Sequence, residues 1–316
     1  MSTDELARWS RDLFTVALFV YIAAMLASFA FVAFRRRSMA RLSTVLGVVG
    51  LTANVVSIVL RAAAAGRTPW GNMYEYSSML AAMAVAAYLI GVEWRSKIRT
   101  LGGFAYAFVV FSMAMAVLFF YVGPQDLLPA LNSYWRQIHV TSMITATSVL
   151  GLGCVFTILF LIKERSERRQ VSMLAQQDPP PIMGGAIDAD APPDFAPGAD
   201  EPVLGPSVRR GVLPASGVLD HLAYRFIALG FPIWTFGTIC GAIWAQGAWG
   251  RYWGWDPKET WSFITWTIFA GYLHARATAG WRGRRAAVIA LVGFGSLFVT
   301  YYAVNLWIAS IHSYAT

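Results

Sequence analysis

Charge is what this sequence has least of. Of its 316 residues, 13% are Asp, Glu, Lys or Arg and 57% are hydrophobic, against about 25% charged residues in an ordinary soluble domain. That deficit excludes a typical soluble protein and points to lipid as the solvent. Cysteine is nearly absent too. Cys154 and Cys240 both sit in apolar runs, where a small buried hydrophobe is the expected role. Without Cys-x-x-Cys the chain is no dithiol oxidoreductase, and without Cys-x-x-Cys-His it is not itself a c-type cytochrome. There is no nucleotide-binding glycine loop and no internal repeat. A net charge of +8 would suggest nucleic acid in a soluble protein. Here the placement of the basic residues matters more than their sum, and no nucleic-acid partner is expected.

What the chain has in quantity is long apolar runs. A span needs about 20 mostly apolar residues, and eight segments qualify: Leu13–Phe34, Leu42–Leu60, Tyr74–Val92, Leu101–Val122, Ile138–Ile162, Leu222–Ala245, Glu259–Ala275 and Ala286–Ala309. The third and seventh are the weakest. The first is too long, and too poorly flanked, for a cleaved signal peptide. Basic residues crowd alternate loops: Arg35, Arg36, Arg37 and Arg41; Arg95, Lys97 and Arg99; Lys163 to Arg169 with Arg209 and Arg210; Arg276 and Arg282 to Arg285. Under the positive-inside rule these loops are cytoplasmic and both termini face outward. The expected fold class is an all-α integral membrane protein of about eight helices. Residues 1–163 form a five-span half and residues 220–316 a three-span half. Residues 164–219, rich in Pro, Asp, Ala and Gly over much of their length, are expected to be a disordered cytoplasmic linker.

The most informative stretch joins the sixth and seventh spans. WAQGAWGRYWGWDPKETW places Trp249, Tyr252, Trp253 and Trp255 within seven residues, interrupted by Gly250 and Gly254. An interfacial aromatic belt scatters single rings over many helix ends, so this density favours a flat-ligand platform. Asp256, Pro257 and Glu259 then spell a helix start: a cap, a proline at the first position and a capping-box acid. The loop is therefore expected to be clamped to the next helix.

Only four histidines occur: His139, His221, His274 and His312. The expected topology puts His139 and His312 on the same outer side as the aromatic loop. Each alone reads as an interfacial side chain. Together, beside a flat aromatic surface, two neutral imidazoles suit axial ligation of a haem iron. Arg251, Lys258 or Arg136 would then meet the propionates. His274 lies about 17 residues into the seventh span, and an ionisable group there is a functional candidate, with an interfacial role beside Arg276 as the alternative. His221, next to Asp220, reads as interfacial. A second outer patch, Trp70, Asn72, Tyr74 and Glu75 within PWGNMYEY, is expected to support the aromatic loop, with Glu75 pairing with Arg67 or another external Arg.

WGRYWGWDPKETW resembles the WWD motif of the haem-handling protein superfamily, and the chain is similar to its CcsA/ResC branch (also labelled CcsB). WGNMYEY, SYWRQIHV, LDHLAYRFIALGFP and the C-terminal IHSY carry the likeness further. The resemblance implies a system II cytochrome c synthase subunit. Haem b would be exported and presented on the outer face of the bacterial plasma membrane for covalent attachment to Cys-x-x-Cys-His apocytochromes. It implies His139 and His312 as axial ligands, and Trp249, Gly250, Tyr252, Trp253, Trp255 and Asp256 as the platform. His274 would be a transmembrane haem ligand. Any lyase-type activity would be exercised only jointly with a ResB-like partner, which supplies the ligand opposite His274. Three other functions compete. A membrane b-type electron carrier would hold haem between paired in-span histidines. A haem-free transporter would show broken helices with polar midplane residues, of which Pro232 in the sixth span is the one such feature. An assembly scaffold would carry no haem.

Overall fold

The computed structural model describes residues 2–123, 133–176 and 213–308, leaving aside the side chains of residues 174 and 175. His312, Ala309 and the central linker residues 177–212 therefore lie outside the described residues. The chain is all-helical there. The helices are α1 (Thr3–Phe34), α2 (Arg37–Ala65), α3 (Met73–Tyr88), α4 (Gly102–Phe119), α5 (Tyr134–Gln176), α6 (Ser216–Trp249), α7 (Pro257–Thr278), α8 (Arg284–Phe298) and the short α9 (Val304–Trp307). A π-helical turn, Leu89–Trp94, extends α3, and another, Val299–Ala303, joins α8 to α9.

Seven of these helical rods are long and apolar enough to cross a membrane, so the protein is an all-α integral membrane protein. The segment expected as the seventh span lies within α7. At 22 residues α7 is about 33 Å long at 1.5 Å per residue, enough to span, but it falls short in apolarity. Thr260, Thr265, Thr267, His274 and Arg276 dilute it. Some of that polarity is satisfied against α8, where the Thr265 hydroxyl lies 3.0 Å from Ser296 Oγ.

The expected linker has helical ends. α5 runs on past Ile162 to Gln176, because Lys163–Glu167 and Glu164–Arg168 pair one turn apart, the latter at 2.8 Å. At the other end α6 begins at Ser216, whose hydroxyl donates to Glu167 at 2.5 Å. α5 and α6 thus meet at this end, and they pack along their length through small residues. A Cβ on Gly230 would sit 2.7 Å from Leu150, and one on Gly237 2.8 Å from Met143. Close approach of this kind replaces the hydrophobic drive that lipid cannot supply. α1 to α4 form a second packed group, centred on buried Tyr21, Tyr88 and Tyr106.

Candidate functional site

A cavity opens between α3, α5, α6, α7 and α8, roofed by the loops 66–72 and 250–256. Its volume is about 140 Å³, and its mouth opens to the surroundings.

His139 lies in its wall. Three features of α6 hold the ring. Its Nδ1 is 2.7 Å from the carbonyl oxygen of Gly237. Its edge rests against Gly241, where a Cβ would come within 2.6 Å of Nδ1. Its face stacks on Trp244, with centroids 6.2 Å apart and 22° between planes. A carbonyl partner fixes the proton on Nδ1 and leaves the Nε2 lone pair available, the arrangement in which histidines usually ligate metals. Trp244 in turn packs on Trp249, centroids 4.9 Å apart. Trp249 thus acts through Trp244 and does not line the cavity.

The loop after α6 is built as the capping pattern requires. Gly250 ends α6 at φ +71°, a left-handed conformation that glycine adopts without cost. Asp256 caps α7, accepting the Lys258 N–H at 3.1 Å. The Glu259 carboxylate reaches back to the N–H groups of Gly254 (2.8 Å) and Asp256 (3.2 Å). These two hydrogen bonds hold Trp255 at φ +59°, an uncommon position for a bulky residue. The consequence is directional: Trp253 turns inward to line the cavity, while Trp255 is 65% exposed and touches Trp253 edge-on at 5.9 Å. Tyr252, also exposed, stands at the mouth.

Positive charge reaches the cavity from two helices. Lys258 donates to Asn305 Oδ1 at 2.8 Å. Burial pulls its ammonium down to about 8, partly offset by Asp256. Arg136 is buried and donates to the Trp70 carbonyl at 3.3 Å. Arg251, expected as a third cation, folds back on its own loop to bond the Gly254 carbonyl at 3.3 Å and does not line the cavity. The buried indole N–H groups of Trp70 and Trp253 have no hydrogen-bond partner among the described residues. Both tryptophans line the cavity, so it offers two cations and two neutral donors to an acidic ligand.

The Trp70 patch divides. Trp70 and Asn72 line the cavity, and Asn72 caps α3 by accepting the Glu75 N–H. Tyr74 points the other way and packs on Phe14, centroids 4.7 Å apart. Glu75 is 2% exposed and joins Arg61 and Arg67 at 2.9 Å each. It also accepts the Gly71 N–H at 2.7 Å, so it braces the roof from behind.

Sequence reasoning did not single out Trp234, Trp244, Met143, Tyr301 or Asn305, all of which line the cavity. Tyr301 arrives through the π-helical turn, which rotates the chain after α8, a device frequent at functional sites. His274 is exposed on α7, away from this cavity, and His221 is exposed on α6.

Known proteins place this architecture. Residues 70–312 match the family model described as Cytochrome C assembly protein. The chain is 36% identical to the cytochrome c biogenesis protein CcsA of Synechococcus sp. (strain JA-2-3B'a(2-13)), covering 98% of this chain and 95% of that protein. It is 35% identical to CcsA of Porphyra purpurea, covering 93% of each. Among solved structures it superposes on "Cytochrome c Heme Lyase CcmF" with TM-score 0.64 and 13% identity, over 96% of this chain and 47% of that one, a likeness of fold. The chain belongs to the Cytochrome C assembly protein family, as a CcsA-type protein of cytochrome c biogenesis.

Proposed function

We propose that the cavity holds haem b and offers it to apocytochrome c on the extracytoplasmic face of the bacterial plasma membrane, as the haem-handling subunit of a system II cytochrome c synthase. One observation carries the reading: His139 is fixed by the Gly237 carbonyl with Nε2 left for a metal, inside an aromatic cavity that also presents cations. His139 would be one axial ligand and His312 the second. Filling both axial sites keeps oxygen from the iron. Lys258 and Arg136, with the indole N–H groups of Trp70 and Trp253, suit the two propionates. Trp253 and Tyr252 cover the porphyrin, and Glu259 holds them in place. The haem vinyl groups supply the chemistry: each thiol S–H adds across a C=C, forming the thioether while the hydrogen ends on carbon. The chain's contribution is positioning and exclusion of water. His274, exposed on α7, would ligate haem in transit together with a ResB-like partner.

The test is an absorption spectrum of the detergent-purified protein, co-expressed with its partner, oxidised and reduced. Wild type is expected to carry six-coordinate b-type haem, and His139→Ala and His312→Ala to weaken it or turn it high-spin. Loss of total haem in His274→Ala would add the transit site. A haem-free wild type, or haem indifferent to these changes, overturns the reading.

A further inference from the structure

A line of polar side chains runs through the interior of α1 to α4 and ends behind the roof of the cavity. At one end Glu93, 8% exposed, takes a hydrogen bond from Thr44 and an ion pair from Arg99 at 3.3 Å. The Tyr88 hydroxyl meets the same carboxylate. The Tyr88 and Ser28 hydroxyls converge on Gly102, where a Cβ would sit 2.7 and 2.9 Å from them. Tyr106 follows, its ring centroid 5.6 Å from Tyr88 and 6.3 Å from Tyr21. Gly47 makes room for the Tyr106 hydroxyl.

Beyond Tyr21 the seam continues through Asn54 and Ser78, which bond each other twice, at 2.9 and 3.1 Å. Ser10 and Ser57 then exchange hydroxyl-to-carbonyl bonds at 2.9 and 2.6 Å. A second cavity of about 10 Å³ opens between Ser10, Ser57, Ser78, Arg61 and Glu75, close to the room that one water needs. Glu75 closes this end and touches the roof of the large cavity through Gly71.

Two facts separate the seam from ordinary helix packing. Burying polar groups in a membrane interior is expensive unless they are satisfied. Yet the buried hydroxyls of Ser28, Tyr74 and Tyr106 have no partner among the described residues. Tyr74 lines the water-sized void, and buried hydroxyls without a protein partner are what bridging water satisfies. An ionisable acid stands at each end, Glu93 and Glu75. Chains of acids and hydroxyls inside membrane bundles are a usual setting for proton transfer.

We propose that this seam holds a file of ordered water and conducts protons between the Glu93–Arg99 end and the Glu75–Arg61–Arg67 end. Each hydroxyl or water accepts a proton on one side and releases another on the opposite side. No bond is left made or broken, and the electrochemical gradient across the membrane drives the net movement. The inference does not need the haem reading: its residues lie on α1 to α4, the turn after α3 and the adjoining loops, α1 and α2 precede the family-model match, and Glu75 alone is shared with the roof of the large cavity.

The experiment reconstitutes the full chain in vesicles loaded with a pH-sensitive dye, imposes a potential with potassium and valinomycin, and follows internal pH. Wild type should acidify severalfold faster than protein-free vesicles. Tyr106→Phe, which removes one oxygen, and Asn54→Leu should return the rate towards the protein-free value. Thr52→Val, on the exposed side of α2, should conduct as wild type does. Flux equal to protein-free vesicles overturns the proposal and leaves the hydroxyls as packing groups; that result does not depend on any variant folding. Flux unaffected by both Tyr106→Phe and Asn54→Leu overturns it as well, because protons would then be crossing elsewhere.

Discussion

His139 shows how little of a site one residue supplies. The ring is defined by what α6 lacks at Gly241 and by what it offers at Gly237. A methyl group at 241 would enter the space of the imidazole, so Gly241→Ala should displace the ring without removing a ligand. Outer partners of this sort are worth about 10–100-fold in metal affinity, and haem titration of Gly241→Ala against wild type measures the loss. Unchanged affinity would mean that the carbonyl tether is dispensable. Lys258 makes a second residue-scale prediction. Its ammonium titrates near 8 in the fold, against an ordinary 10.5. Unfolded chains therefore hold more protons between these values, and folding stability of the empty protein should rise with pH across that window. Attraction for a carboxylate runs the opposite way, being present below about 8 and fading above it. Haem affinity measured from pH 6.5 to 9.5 should fall through the upper half of that range. Lys258→Arg, charged throughout, should flatten the curve.

At the scale of the element, the α6–α7 loop was the most legible part of the chain, and the reason is local. Gly250, Asp256, Pro257 and Glu259 act on backbone groups within a few residues of themselves, so their spacing alone announces the cap and the clamp. Glu75 was legible in the same way, since its partner Arg67 lies eight residues away. Trp244, Arg136 and Tyr301 were not, because they converge from three helices far apart in sequence. The π-helical turn that re-aims Tyr301 has no pattern in Val299–Ala303 that announces it. Direction was also hidden. Trp253 and Trp255 look equivalent in sequence, yet the left-handed backbone at Trp255 sends one ring inward and the other out. The same hidden direction put Tyr74 and Arg251 into the expected site, which neither lines. A left-handed residue with a Cβ stores about 1–2 kcal/mol. Trp255→Gly should therefore keep the loop and melt no lower than wild type, whereas Trp255→Val, branched at Cβ, should lower Tm and loosen the clamp on Gly254. Equal melting of the two would remove the backbone from the explanation.

Across the whole molecule, the long apolar runs made the helices easy to foresee, while the extent of the linker was not. Its ends are helical because Glu167 ties α5 to the start of α6, a contact between residues 49 positions apart. That tie, and the glycine-lined packing of α5 on α6, should hold the protein together without the intervening chain. Residues 1–176 and 213–316 expressed as two polypeptides are expected to co-purify through a tag on either one. Recovery of the tagged piece alone would assign the cohesion to the segment between them.

α7 carries one more consequence, and it concerns biosynthesis. The translocon weighs each emerging segment by its hydrophobicity, and α7 is less apolar than the helices long and apolar enough to cross on their own, α8 with its extension among them. A tight turn at Gly280 and Gly283, both at positive φ, brings the two together, and Thr265 finds Ser296 only when they are side by side. α7 is therefore expected to enter the bilayer as one arm of a hairpin, once α8 has left the ribosome. Until then the aromatic loop lacks the helix pair that sets its position, and a chain stalled before residue 284 is expected to leave α7 outside the bilayer.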